Sequence, residues 1–178
     1  MLLLAACGAT PKGPYEMDGQ ANRNAGLALD CSSRAAELIT TNPVEAENLL
    51  RKALTADIFC GPAHNNLGIL FLKEGDFYEA AQEFEWARKL MPGNPTPRVN
   101  LALTLDRAGQ DTEAIVAYES ALAVAPEYLP AIQGLVALER RLGVRGEAVS
   151  ERLRSVQLRS RDVRWREWAE KELLHSRR

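Results

Sequence analysis

The stretch HNNLGILF (residues 64–71), followed by AAQEFEWA (80–87) and Pro92, carries the pattern that decides the fold. The same landmarks return 34 residues further on, in RVNLALTL (98–105), AIVAYESA (114–121) and Pro126. Each unit has two apolar segments with helical spacing, separated by a glycine turn and ended by a proline. A period of this length indicates stacked helical hairpins, each of which buries its apolar face only against its neighbours.

This pattern resembles that of tetratricopeptide repeats, in which an aromatic residue and Leu-Gly mark the first helix of a unit and a small residue, an aromatic residue and a proline mark the second. The resemblance is strongest over residues 61–128. It implies an all-α fold, a right-handed superhelical stack of helix-turn-helix hairpins. The outer units are degenerate because terminal repeats face water instead of a neighbour. We expect an array over residues 26–160, divided into units 27–60, 61–94, 95–128 and 129–160.

A further helix is predicted after the last unit, within residues 161–178. Asp162 can cap it, and it should continue to about His175 with Trp165 and Trp168 on it. We interpret this segment as a C-terminal capping helix and basic tail, whose tryptophans cover the end of the stack. The alternative is an exposed aromatic site for a partner, because Trp and Arg are enriched at binding hot spots.

The N-terminal segment LLLAACG (2–8) resembles the lipobox of bacterial lipoproteins, in which a cysteine after small residues is diacylated. This resemblance implies that residues 1–7 are the remnant of a lipoprotein signal and that Cys7 is lipidated. Residues 8–25 would then be a flexible tether. A secretory signal needs a charged start and an apolar core of about 7–15 residues, which the residues before Cys7 do not supply. Either the chain start is truncated or the match is accidental.

The remaining cysteines, Cys31 and Cys60, form an even pair if Cys7 is lipidated. In the oxidising compartment that a lipobox implies, we expect them to form a disulfide between the first and second hairpins. Closing a loop of about 30 residues would stabilise the fold by about 3–4 kcal/mol. Zinc bound by these cysteines and His64 is the weaker alternative, because structural zinc takes four ligands and a fourth is not apparent.

Composition and motifs argue against several functional classes. The net charge of -2 and the pI of about 5.8 are not those of a dedicated nucleic-acid-binding protein. No phosphate-binding loop or Ser-His-acid set is present in the sequence, so we expect no enzymatic activity, no cofactor, no metal and no small-molecule substrate. His64 stands at a core landmark of its repeat, and Glu79, Glu83 and Glu85 are interpreted as solvated charges.

The first helices of tetratricopeptide units line a concave groove that receives extended peptides or partner helices. Carried over to this chain, the resemblance implies a groove that is apolar in its middle and basic towards its later end. Such a surface suits an amphipathic helix or an apolar peptide with acidic groups. The expected groove residues are Asn65, Ile69, Lys73, Val99, Leu103, Asp106, Arg107, Gln133, Ala137, Arg140 and Arg141.

One branch of the family grips the terminal carboxylate of a peptide with a Lys/Asn/Arg clamp. Asn66 and Asn100 stand at matching places in this chain. Cys31 and Ala35, however, replace the clamp lysine and its partner asparagine. A receptor for chaperone C-termini is therefore not expected.

Repeats and anchor together resemble small lipid-anchored tetratricopeptide proteins such as the pilotins, which escort secretin subunits in pilus biogenesis. This implies a scaffold or assembly factor of the bacterial envelope that faces the periplasm. Gly8 is not the aspartate that commonly signals inner-membrane retention, so the outer membrane is the expected location. The alternative is a soluble cytoplasmic adaptor without a lipid anchor, because a fold alone does not determine function.

Overall fold

The computed structural model describes residues 23–175 of the 178-residue chain, and every regular element in this part is an α-helix. The lipobox with Cys7, and most of the expected tether, lie outside the described residues. None of the described helices is long and apolar enough to cross a membrane. The helices are α1 Ala25–Leu38, α2 Pro43–Ala56, α3 Gly61–Glu74, α4 Phe77–Leu90, α5 Thr96–Arg107, α6 Asp111–Val124, α7 Leu129–Arg141, α8 Glu147–Arg159 and α9 Val163–His175.

The first eight helices form four hairpins that stack in chain order. Within the hairpins, α1 packs on α2, α3 on α4, α5 on α6 and α7 on α8. Neighbouring hairpins contact one another through consecutive helices and through their first helices, α1 with α3, α3 with α5 and α5 with α7. The last helix, α9, packs on α8 and covers the end of the stack. The all-α stack of hairpins predicted from the sequence is confirmed.

Local sequence sets the ends of the helices. Asn24 and Asn42 accept hydrogen bonds from the N–H groups of Leu27 and Glu45, which caps α1 and α2. After α3, Gly75 takes a left-handed conformation with φ of 91°, which glycine adopts without the strain that a Cβ would cause. Asp162 accepts a hydrogen bond of 2.9 Å from the Arg164 N–H and caps α9, as its position in the sequence predicts.

Small and large apolar residues alternate in the core. Ala80 and Ala114 are fully buried and let the two helices of a hairpin approach closely. Leu67, Phe84 and Tyr118 are almost fully buried and fill the space around them. Because each core cluster contains residues from neighbouring hairpins, no hairpin has a complete core of its own.

Two glycines lie directly under aromatic rings. A Cβ on Gly68 would come within 2.8 Å of Phe84, which lies in the same hairpin. A Cβ on Gly134 would come within 2.3 Å of Tyr118, which lies in the preceding hairpin. Gly134 therefore brings α7 close to α6, and this contact was not predicted from the sequence.

His64 and Glu83 form a buried polar pair between α3 and α4. His64 Nδ1 lies 2.6 Å from Glu83 Oε2, and Nε2 lies 2.8 Å from the Ile58 carbonyl oxygen. The Trp86 ring stacks on the imidazole, with ring centroids 5.8 Å apart. The burial of His64 agrees with its expected place in the core. The interpretation of Glu83 as a solvated charge is wrong: its carboxylate is buried because the histidine satisfies it.

Cys31 and Cys60 are free, buried thiols in the described part of the chain, so the disulfide expected from the sequence is not formed. Cys31 lies well inside α1, whereas Cys60 immediately precedes α3. Since one repeat relates residue 60 to residue 26, the two positions differ by about 7–8 Å along the helix axes. Neighbouring helices are themselves about 8–10 Å apart, and a disulfide requires Cα atoms within about 7 Å.

We predict that Gly134→Ala lowers the free energy of unfolding by about 1–3 kcal/mol, because the new methyl group meets the buried Tyr118 ring. Urea denaturation would measure the difference. Gly93→Ala is the matched control: no atom lies within 4 Å of a Cβ at Gly93, and its stability should stay within about 1 kcal/mol of wild type. Equal stability of both variants would mean that the ring moves aside at little cost.

A second prediction concerns alkaline pH. Burial, assisted by the nearby Asp106 charge, raises the pKa of Tyr118 to about 12. In the unfolded chain the same phenol has a pKa of about 10. The stability that depends on its neutral form is therefore fully present below about pH 10 and is lost as pH rises from about 10 to 12.

Tyr118→Phe should lack this component of the alkaline loss, which denaturant unfolding at a series of pH values would measure. Tyr78→Phe is the control, because Tyr78 is 73% exposed. If both variants lose stability with the same alkaline profile as wild type, Tyr118 does not titrate in this way.

Candidate protein-interaction surface

The expected groove residues occupy three rows that run across the first helices. Positions one repeat apart share a row because the units are related by 34 residues. One row is Asn65, Val99 and Gln133; the second is Ile69, Leu103 and Ala137; the third is Lys73, Arg107 and Arg141. The second row is apolar and half-buried, and every member of the third is cationic and exposed.

Several polar residues of this surface tie one repeat to the next. The Asn100 amide donates to Asn65 Oδ1 at 3.0 Å, joining α5 to α3. Lys73 Nζ lies 3.5 Å from the Ile39 carbonyl oxygen, at the end of the preceding unit's first helix. These side chains thus hold the concave surface in shape as well as lining it.

The predicted basic character of the later end is reduced by ion pairs. Arg140 donates to Glu172 of α9 through Nε and Nη2, each at 2.8 Å, and its side chain is only 13% exposed. Arg141 pairs with Asp106 and, at 2.8 Å, with Asp111. Arg140 is therefore a link to the capping helix, whereas Arg141 keeps 52% of its side chain exposed.

A cleft of about 600 Å³ opens between α7 and α9, at the later end of the rows. Trp165 and Trp168 meet edge to face in its wall, with ring centroids 5.3 Å apart. Both are half-buried and also pack against the apolar cluster between α7 and α8. The tryptophans thus serve the capping role expected from the sequence and also line an open cleft. The lining is Ala137, Arg140, Arg141, Asp162, Arg164, Trp165, Trp168 and Glu172.

Sequence reasoning did not place this cleft in the groove. Ala137, Arg140 and Arg141 were expected there, but the residues from Asp162 to Glu172 were not. The available signal was the spacing of Trp165 and Trp168, which puts two large aromatic residues on nearly the same side of one helix. It did not show which helix they would face.

The positions of the carboxylate clamp are used differently. Cys31 and Ala35 are buried in α1, and the Asn66 amide donates to the Ser32 carbonyl oxygen at 3.2 Å. No group of three or more His, Cys, Asp or Glu side chains within residues 23–175 could hold a metal ion. The zinc site considered from the sequence is therefore not assembled in this part of the chain.

Residues 71–139 match the family model described as Tetratricopeptide repeat. No curated protein sequence matched the chain. Among solved structures, the first TPR of Spaghetti bound to an HSP90 peptide is 17% identical, with a TM-score of 0.64, 69% of this chain covered and 98% of that one. Yeast Tom70 is 16% identical, with a TM-score of 0.72, and covers 84% of this chain over 33% of its own length.

An O-GlcNAc transferase from Thermobaculum terrenum is also similar, at 23% identity and a TM-score of 0.66; it covers 75% of this chain but only 25% of its own. At these identities the likeness shows a fold. The superhelical stack predicted from the sequence is confirmed by it, and the matching family model is that of a repeat. Together, the family match and the similar structures support a tetratricopeptide-repeat protein.

Proposed function

We propose that this protein is a non-catalytic scaffold that binds a partner protein along the concave surface of its first helices. The observation that carries the proposal is the pair of adjacent rows, apolar Ile69 and Leu103 beside exposed Lys73 and Arg107, each pair exactly one repeat apart in sequence. A partner with an apolar face and acidic residues along one edge complements both rows. An amphipathic helix or an extended peptide can have this character.

The similar structures support a peptide-binding role for this type of surface. The first TPR of Spaghetti was solved with an HSP90 peptide bound, which shows that a helical stack of this shape can hold a short segment. The clamp residues Cys31 and Ala35 are buried here, so we do not extend the proposal to a chaperone C-terminus. Apolar contacts would supply most of the affinity, and the cations would set approach rate and orientation.

We further propose that the scaffold is held in the bacterial envelope by a lipid on Cys7, at the outer membrane and facing the periplasm. The support is the segment LLLAACG (2–8) and the Gly- and Pro-containing stretch that follows it. A tethered repeat domain of this size suits an assembly role like that of a pilotin. A soluble adaptor without a lipid would use the same concave surface.

The surface is tested by reversing its cationic row. We predict that Lys73→Glu/Arg107→Glu loses a partner that wild type captures from crosslinked extract of the producing cells, because the acidic edge of that partner is then repelled. The control, Lys52→Glu/Lys89→Glu, makes the same charge change at exposed positions of α2 and α4 and should keep the partner. Loss by neither variant would argue against the concave surface.

The anchor is tested separately by mass spectrometry of the protein isolated from membranes of the producing cells. We predict that its N-terminal peptide begins at Cys7 and carries a diacylglyceryl group. Replacing Cys7 by Ser should release the protein into the soluble fraction, whereas Cys60→Ser should leave its fractionation unchanged. An unmodified Cys7, with wild type in the soluble fraction, would favour the soluble adaptor.

A further inference from the structure

We infer that the α7–α9 cleft is a specificity pocket, which takes a bulky apolar side chain of an acidic partner segment while Arg141 and Arg164 bind the carboxylates beside it. This inference rests on the proposed function, because it names the part of the concave surface that selects the partner.

The cleft continues the surface already described. Ala137 ends the apolar row and Arg141 ends the cationic row, and both line the cleft. A segment lying along Ile69 and Leu103 would therefore reach the tryptophans without leaving the first helices. Its volume of about 600 Å³ is in the range of about 300–1,000 Å³ typical of ligand pockets.

The two tryptophans give the cleft its apolar character. Their edge-to-face contact leaves ring surface on the cleft wall, and packing against Val136 and Leu153 holds α9 in place beneath them. Tryptophan supplies a large contact area with few rotatable bonds, so little conformational entropy is lost when a side chain packs on it. Glu172 fixes Arg140 on the same wall, which makes that part of the cleft rigid before any ligand arrives.

The charges around the cleft favour an acidic segment. Four arginines fall within residues 159–166, against one acidic residue, Asp162. Arg164 is 86% exposed and Arg141 is 52% exposed. Their present partners, Asp162 for Arg164 and Asp106 and Asp111 for Arg141, form solvent-accessible ion pairs of the kind that contribute about 0–1 kcal/mol. Exchanging such a partner for a ligand carboxylate therefore costs little.

The probes are three synthetic ten-residue peptides: one acidic with a central Phe, one acidic with Ser in its place, and one basic with the Phe. We expect the first to bind the full chain in isothermal titration calorimetry and to change its tryptophan fluorescence. The second and third should bind at least about tenfold more weakly, because each lacks one of the two features that the cleft recognises. Equal binding of all three would overturn the inference.

Two variants locate the binding. Ala137→Leu fills the cleft from α7 without removing either tryptophan, and Trp165→Ala removes part of its wall. Each should weaken the acidic Phe peptide by about tenfold or more, the loss typical of a truncated hot spot. Trp86→Phe, on α4, is the control for the fluorescence and should bind like wild type. If Trp165→Ala is unfolded by circular dichroism, Ala137→Leu decides alone, and wild-type binding by it would contradict the inference.

The same variant separates this inference from the proposed function. Partner capture that survives Ala137→Leu but not Lys73→Glu/Arg107→Glu would overturn the cleft as a specificity pocket and leave the concave surface as the binding site. Capture that survives both would remove both proposals. A wild-type dimer in analytical ultracentrifugation that Ala137→Leu dissociates would assign the cleft to a second copy of the chain and overturn the inference.

Discussion

The whole structure depends on the packing of each first helix against the equivalent helix one repeat away. No hairpin encloses a core, so the apolar side chains of each must meet those of its neighbours at matching heights. Hydrogen bonds reinforce that match: the Asn66 amide reaches Ser32, and the Asn100 amide reaches Asn65, across 34 and 35 residues of sequence. A shift of one helix along its axis would break these bonds and separate the apolar layers together.

The same constraint explains the less regular features of the core. Phe84 packs on Gly68 within its own hairpin, whereas Tyr118 crosses to Gly134 in the next, so equivalent aromatic residues bridge different pairs of helices. The His64–Glu83 pair adds a buried polar contact at the second hairpin, where the preceding turn also supplies a carbonyl acceptor. Such a pair tolerates little displacement, because a buried carboxylate without its partner is costly.

The stack also shapes the surface on which function is proposed. Keeping the first helices in register aligns apolar side chains into one row and cations into another, although neither row is continuous in the sequence. The last helix then changes the end of this surface. It covers Arg140 through Glu172 and adds two tryptophans, which converts a simple basic end into a lined cleft. A capping element needed for stability has in this way become part of the candidate binding surface.

The sequence by itself determined the helical hairpins, the capping of α9 by Asp162 and the turn at Gly75, because these follow from a period of 34 residues and from local backbone preferences. It also indicated which residues lie on the first helices' concave side, although not their contacts. Only the tertiary structure decided that Glu83 is buried, that Cys31 and Cys60 lie at different heights and that Arg140 faces Glu172. The physical reason is that these outcomes depend on distances between helices far apart in sequence, which periodicity leaves open.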